Sequence, residues 1–331
     1  MIASRAFPFR AALAACCLMT ATVASHAQVK VVASIKPVHS LVSSVMQGAG
    51  KPDLIVQGGG SPHTYTMRPS DAKALQNAQV VVWIGERLER FLEGPVKSLA
   101  GKARVLELAD VKGLTAYPFR SGGAWEKHSH GKKKASHKHS QNHGHDHGRD
   151  HSHGHDHAGT DSHIWMDPAN AKLFVTAIVG ALSEADPANA ALYRKNGEAE
   201  KERLDTLIAD INSKLEPVRG KGFVVFHDAF QYFEKRFGLT GAGSISLGDG
   251  RAPGAKRLRE IRAKLASADV ACVFSEPQFE PRLVRTVIEG SAVRTGVLDP
   301  LGAKIQDGPG LYEKMMRNNA DSLYGCLAGK R

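Results

Sequence analysis

Cysteine is nearly absent from this chain. Of four in 331 residues, Cys16 and Cys17 sit close to the N-terminus, and only Cys272 and Cys326 lie in the body of the sequence. Neither of the latter has a neighbouring motif, which argues against a nucleophilic or zinc-binding thiol. Long apolar runs are missing too: beyond the N-terminus none reaches the roughly 18–20 residues that cross a bilayer. Aromatic residues are sparse, and the formal net charge of +11 is scattered among helices rather than gathered into a basic stripe interleaved with rings. That pattern excludes nucleic acid as a partner. No H-E-x-x-H sequence is present, and Gly58-Gly59-Gly60 is not followed by the Lys-Ser/Thr helix start of a phosphate cradle.

What is present begins with an export signature. Arg5 and Arg10 precede an apolar segment at 11–24, and Ser25-His26-Ala27 closes it with a small-x-small pattern. Residues 1–27 therefore read as a secretion signal cleaved before Gln28. Leu13-Ala14-Ala15-Cys16 resembles a lipobox, but lipidation there leaves only a stub of the apolar region, so plain export ranks above a lipoprotein. Export leaves Cys272 and Cys326 as the mature thiols, and in an oxidising compartment two such thiols are expected to pair. A loop of that size contributes about 4 kcal/mol on closure.

The remaining length suits two domains of α/β type. Val29–Ser34, Val80–Ile84, Phe223–Phe226 and Val270–Phe274 are apolar runs of the kind found in central parallel strands, and Val105–Leu108 is a weaker one. Pro37 opens a helix whose buried stripe is Val38, Leu41, Val42, Val45 and Met46. Another helix presents Leu258, Ile261 and Leu265, and a third follows Pro281. Between the two sets of strands runs a long helical stretch, with Asp186 as its cap, Pro187 in its first turn and Pro217 at its end. The expected organisation is an N-terminal lobe over 28–185, a rigid linking helix over 186–216 and a C-terminal lobe over 217–331. Residues 126–162 break the pattern: they alternate His with Gly, Asp, Ser and Lys and read as a disordered insertion.

Sixteen histidines divide sharply by context. His26 leaves with the signal and eleven lie in the insertion, so four remain in the folded body: His39, His63, His163 and His227. His63 follows the glycine turn that ends a predicted strand, His163 follows the insertion, and His227 ends the run FVVF. In open parallel sheets ligands bind at the carboxyl ends of strands, and three imidazoles meeting there suit Zn²⁺. His39 stands near the start of the first helix, off its apolar stripe, and reads as a surface or site-rim residue. The residues alone reach an exported α/β protein with a metal-attracting segment; affinity order does not by itself select zinc over copper or nickel.

Several stretches together resemble the ZnuA-type zinc-binding proteins of bacterial ABC importers. They are Ser34-Ile35-Lys36-Pro37, Ser61-Pro62-His63-Thr64-Tyr65 with Arg68-Pro69-Ser70-Asp71, His163-Ile164-Trp165-Met166-Asp167-Pro168, Phe226-His227-Asp228-Ala229-Phe230, Ser275-Glu276-Pro277-Gln278-Phe279 and Leu298-Asp299-Pro300-Leu301-Gly302. The resemblance implies two (β/α) lobes joined by one rigid helix, zinc ligands at His63, His163 and His227, and a disulfide between Cys272 and Cys326. It also implies a periplasmic location, zinc as cargo, an inner-membrane permease as partner, action as a monomer and no catalysis. Some zinc-binding members carry Glu immediately before the first ligand; here that position is Pro62, so the fourth donor is expected to be water or Asp299. Glu276 is expected to play an outer supporting or purely structural part. The alternatives are a zinc hydrolase, with Asp228, Glu276 or Asp299 as general base, and a His-rich metal store.

Overall fold

The computed structural model describes residues 28–120, 125, 159–246, 253–266 and 270–329. The expected signal segment, and all of the expected insertion before residue 159, lie outside these residues.

Two four-stranded parallel sheets form the frame. The first comprises β1 (Val31–Ala33), β2 (Asp53–Leu54), β3 (Val80–Trp83) and β4 (Arg104–Glu107) in the order β2-β1-β3-β4. Its helices are α1 (Lys36–Val45), α2 (Pro69–Asn77) and α3 (Glu93–Leu99). The helices α4 (Pro168–Ala185) and α5 (Ala190–Leu215) then cross to the second half. There β5 (Gly222–Val225), α6 (Gln231–Phe237), β6 (Gly241–Ser244), α7 (Ala255–Ala266), β7 (Val270–Ser275), α8 (Pro281–Ile288), β8 (Arg294–Val297) and α9 (Leu311–Ala328) build a sheet ordered β6-β5-β7-β8. Every strand pairing is parallel. Each sheet thus reverses its strand order between its two central strands, which opens a crevice at their carboxyl ends.

The lobes share one core. Alternation along β5 sends Phe223 and Val225 to one face of the second sheet and Val224 and Phe226 to the other. Phe223 and Val225, with Cys272 and Phe274 of β7, join a core that runs through α9, α5, α4 and α1 to the first sheet. Val224 and Phe226 join a smaller outer cluster under α7 and α8. Cys272 and Cys326 form a disulfide that ties β7 to α9 across the inner face.

The 26-residue α5 is the predicted linker, with Leu204, Leu207, Ile211 and Leu215 buried along one side. At about 1.5 Å per residue it spans roughly 39 Å. Helix α4, which precedes it across a short turn, packs along it, so the linking helix has a helical partner beside it. Gly197 permits that approach, since a Cβ there would lie 2.5 Å from Val179 Cγ2. Asp186 does not cap the backbone as expected; its Oδ2 accepts from Asn189 Nδ2 at 2.8 Å and the Tyr193 hydroxyl at 2.6 Å.

Helix α1 is buried at every one of its residues because α9 and α5 cover the side that an amphipathic helix leaves to water. That corrects the reading of His39. It is 8% exposed, and its Nε2 bonds the Pro52 carbonyl at 3.1 Å, so it braces the lobe interior instead of lining a rim. Lys36 of the same helix donates to the Ala303 and Ile305 carbonyls across the lobe boundary.

Candidate metal centre

Three loops bring His63, His163 and His227 together between the lobes. His63 lies beyond β2 on the turn opened by Gly58, whose φ of 63° is left-handed. His163 precedes α4, and its ring stands 5.2 Å from that of fully buried Trp165, whose indole N–H donates to the Pro300 carbonyl of the other lobe at 2.8 Å. His227 follows β5 at the crevice of the second sheet.

The separations of their Nε2 atoms are the informative numbers. His163 Nε2 lies 3.3 Å from His63 Nε2 and 3.4 Å from His227 Nε2. One ligand atom from each of the three residues falls within 4.8 Å of the others. Tetrahedral zinc with bonds of about 2.0–2.1 Å needs donors about 3.3–3.4 Å apart. Hydrophobic packing sets no such spacing between ring nitrogens.

The other nitrogen of two rings is already committed. His163 Nδ1 lies 2.7 Å from Asp161 Oδ1, which also accepts the His163 backbone N–H at 3.0 Å. His227 Nδ1 lies 2.8 Å from Glu276 Oε1, which likewise accepts the His227 backbone N–H at 3.0 Å, and 2.7 Å from Oε2. A carboxylate on Nδ1 keeps the proton there and turns the Nε2 lone pair toward the metal. Burial opposes a charged imidazole at His227, but Glu276 against it, with Asp228 and Asp161 nearby, holds its pKa above the ordinary value.

Asp161 is the residue that sequence reasoning missed. It was assigned to the disordered insertion, yet residues 159–162 are ordered: Pro118 and Thr160 form an antiparallel bridge, and the Tyr232 hydroxyl holds the Asp161 carbonyl at 2.8 Å. The signal lay in the Asp161-Ser162-His163 spacing, a carboxylate two residues before a candidate ligand. Glu276, given no settled role from sequence, proves to be the matching partner of His227.

Asp299 sits elsewhere. Its oxygens accept the backbone N–H groups of Leu301, Gly302 and Ala303 at 3.1, 2.9 and 2.7 Å, and Gln278 Nε2 at 2.8 Å. The turn it organises needs Gly302, whose φ is 67°. Those four donors hold the carboxylate, and it is not among the groups whose ligand atoms converge. Asp228 is also engaged elsewhere: with Glu234 it clasps the Arg120 guanidinium, over which the Trp125 ring stacks at 3.5 Å. Pro62, Gln278 and Phe279 are among the residues that line the pocket around the histidines.

Known proteins share both sequence and architecture. The family described as zinc-uptake complex component A, periplasmic (ZnuA), matches residues 31–326. A high-affinity zinc uptake system protein ZnuA of Brucella suis is 50% identical over 305 residues, covering 90% of this chain and 91% of its own. Its counterpart in Paracoccus denitrificans is 41% identical over 315 residues, covering 95% and 96%. The crystal structure of a ZnuA superposes with a TM-score of 0.72 at 21% identity, over 91% of this chain and all of that one. The periplasmic zinc-binding protein TroA from Treponema pallidum superposes with 0.69 at 20% identity, over 91% and 99%. At those identities the structural likeness is one of fold. Sequence identity over nine-tenths of the length carries the assignment further, and this chain belongs to the ZnuA family of periplasmic zinc-uptake components.

Proposed function

We propose that this protein captures Zn²⁺ in the periplasm and delivers it to the permease of an ABC importer. The observation that carries this reading is the convergence of three imidazoles, with His163 Nε2 3.3 and 3.4 Å from the other two, the donor separation tetrahedral zinc needs, and with two of the rings fixed by carboxylates on Nδ1. An all-imidazole set favours a borderline-soft ion over hard Mn²⁺. The fourth position goes to water, because the Asp299 carboxylate already accepts four hydrogen bonds. Zinc must displace protons from the imidazoles, so affinity falls as pH drops. The eleven histidines between 126 and 158 would collect ions near the site. The export reading of residues 1–27 supplies the route to the periplasm.

Capture suits the site better than hydrolysis. A hydrolase needs a general base within reach of the metal-bound water. The three carboxylates offered by the sequence are spoken for: Asp228 by Arg120, Glu276 by His227, and Asp299 by its own turn.

Calorimetry tests the proposal on a chain lacking 126–158, a deletion that spares Asp161. One tight zinc site per chain is expected, abolished by His63→Ala. Manganese bound more tightly than zinc, or zinc lost entirely with the deletion, overturns it; the second result would favour a metal store.

A further inference from the structure

We propose that Gln278 is a positioning residue for the metal's fourth ligand: its side-chain carbonyl accepts a hydrogen bond from the zinc-bound water. The inference rests on the three-histidine site proposed above and adds the group that orients what completes it.

Two observations meet at this side chain. Gln278 lines the pocket together with His63, His163 and His227. Its Oε1 is buried and accepts no hydrogen bond among the described residues. A buried acceptor left open costs about 1–3 kcal/mol, so an unfilled one beside a binding site asks for an occupant.

The orientation of the amide follows from its neighbour. Gln278 Nε2 donates to Asp299 Oδ1 at 2.8 Å. A carboxylate that takes three backbone N–H groups can only accept, so the nitrogen must face Asp299 and the oxygen must face the other way. Asp299 is itself fixed at both ends of its backbone by Asn319, whose Oδ1 accepts the Asp299 N–H at 2.8 Å and whose Nδ2 donates to the Asp299 carbonyl at 2.9 Å. A chain of fixed groups therefore runs from α9 through Asp299 to one open carbonyl oxygen at the site.

The occupant must be a hydrogen-bond donor. Water on a divalent metal is a strong one, because the ion polarises its O–H bonds. An amide oxygen is not among zinc's ordinary ligands, which are thiolate, imidazole and carboxylate. In this arrangement Asp299 still serves the metal, two steps removed, by aiming Gln278.

The test uses the full mature chain, wild type and Gln278→Leu, loaded with Zn²⁺ or with Co²⁺ as a spectroscopic probe. Zinc affinity, measured by competition with a chromophoric chelator, should fall about tenfold, as for other outer partners of a metal site. The visible bands of the cobalt protein should shift. Their pH titration should move to lower pH, because the carbonyl's negative end no longer disfavours hydroxide. Weaker zinc binding with an unchanged cobalt spectrum and titration would mean that Gln278 only supports the fold, and the proposal is wrong. Unchanged affinity and spectrum also overturn it. Gln278→Met, closer in shape, replaces the leucine variant if that one fails to fold. His63→Ala separates the two levels: zinc binding that survives it refutes the three-histidine site, whereas an intact site indifferent to Gln278→Leu refutes only this role.

Discussion

The two lobes repeat one strand order and use its crevice differently. In the C-terminal lobe the crevice beyond β5 and β7 holds a proposed metal ligand, His227, and the carboxylate bonded to its Nδ1, Glu276. In the N-terminal lobe the same crevice, beyond β1 and β3, is filled by Glu89. That carboxyl is fully buried and accepts from the Ser34 hydroxyl and the Ile84 and Gly85 N–H groups. The proposed ligands of the N-terminal lobe come instead from loops outside the crevice, with His63 only half-buried. One lobe thus presents its proposed ligand from the centre of a sheet. The other holds its two ligands by local turns and by contacts from across the boundary, such as the Tyr232 hydroxyl on the Asp161 carbonyl.

That contrast makes the boundary contacts as important as either lobe. Arg120 reaches from the first lobe to half-buried Asp228 and buried Glu234 of the second. Arg120→Ala strands two carboxylates away from water, and the expected loss is about 3–5 kcal/mol in urea unfolding of the zinc-free protein. Arg120→Lys keeps the charge without the two-pronged fork and should lose less. A loss under about 1 kcal/mol for alanine would mean that the lobes hold together without this clasp. The disulfide acts inside the second lobe alone. Replacing Cys272 and Cys326 by serine reopens a loop with a sequence separation of 54 residues. The loop model then gives a loss of about 4 kcal/mol. Since Cys272 belongs to the core shared by both lobes, one cooperative transition is expected. Two separate transitions would show that the lobes are independent after all.

How much of this was legible in sequence follows the same division between centre and edge. The four central strands, β1, β3, β5 and β7, are apolar because both faces are covered, and each was readable. The edges were not. β6 is Gly-Ala-Gly-Ser and β8 is Arg-Thr-Gly-Val, sequences without a strand signal of their own. They are strands because a strong neighbour offers its backbone. Helix α9 escaped notice because its buried face includes Asn319 and Cys326 among its apolar residues. The structure brings His63, His163 and His227 together; in sequence their strand-end and loop contexts set them apart from His39, but their spacing carries no pattern, and only resemblance implied them as zinc ligands. Asp161 and Gln278 act on a ligand or face the site through contacts that only folding creates.

Glu89 lets the two crevices be compared by pH. Burial, with Glu107 adding its charge, pushes Glu89 up to about 7 against the pull of its three donors. A carboxyl raised in the folded state stabilises the fold fully below its ordinary value of 4.5, and that contribution is lost as pH rises through about 7. The difference amounts to about 3 kcal/mol. Glu89→Gln removes this dependence. Between pH 4.5 and 8 the zinc-free wild type should lose about 3 kcal/mol more stability than the variant, read by urea unfolding at several pH values. Parallel pH profiles would show that Glu89 is ionised throughout and that its hydrogen bonds outweigh its burial.

The finest comparison is between the two carboxylates that orient ligands. Asp161 offers one oxygen, Oδ1, to both the backbone N–H and Nδ1 of His163. Glu276 places both oxygens within reach of His227 Nδ1, at 2.8 and 2.7 Å. An asparagine at 161 can keep its carbonyl on both donors of His163, since the one oxygen Oδ1 serves both. A glutamine at 276 cannot, since with its carbonyl in the Oε1 position its NH₂ stands against the Nδ1–H, donor against donor. Outer partners of metal-bound histidines are worth about 10–100-fold in affinity. Glu276→Gln should therefore fall near the upper end and Asp161→Asn near the lower end in a zinc competition titration. The reverse order would place the rigid anchor of the site in the N-terminal lobe, where the ligand is held by the turn that precedes it rather than by a neighbouring strand.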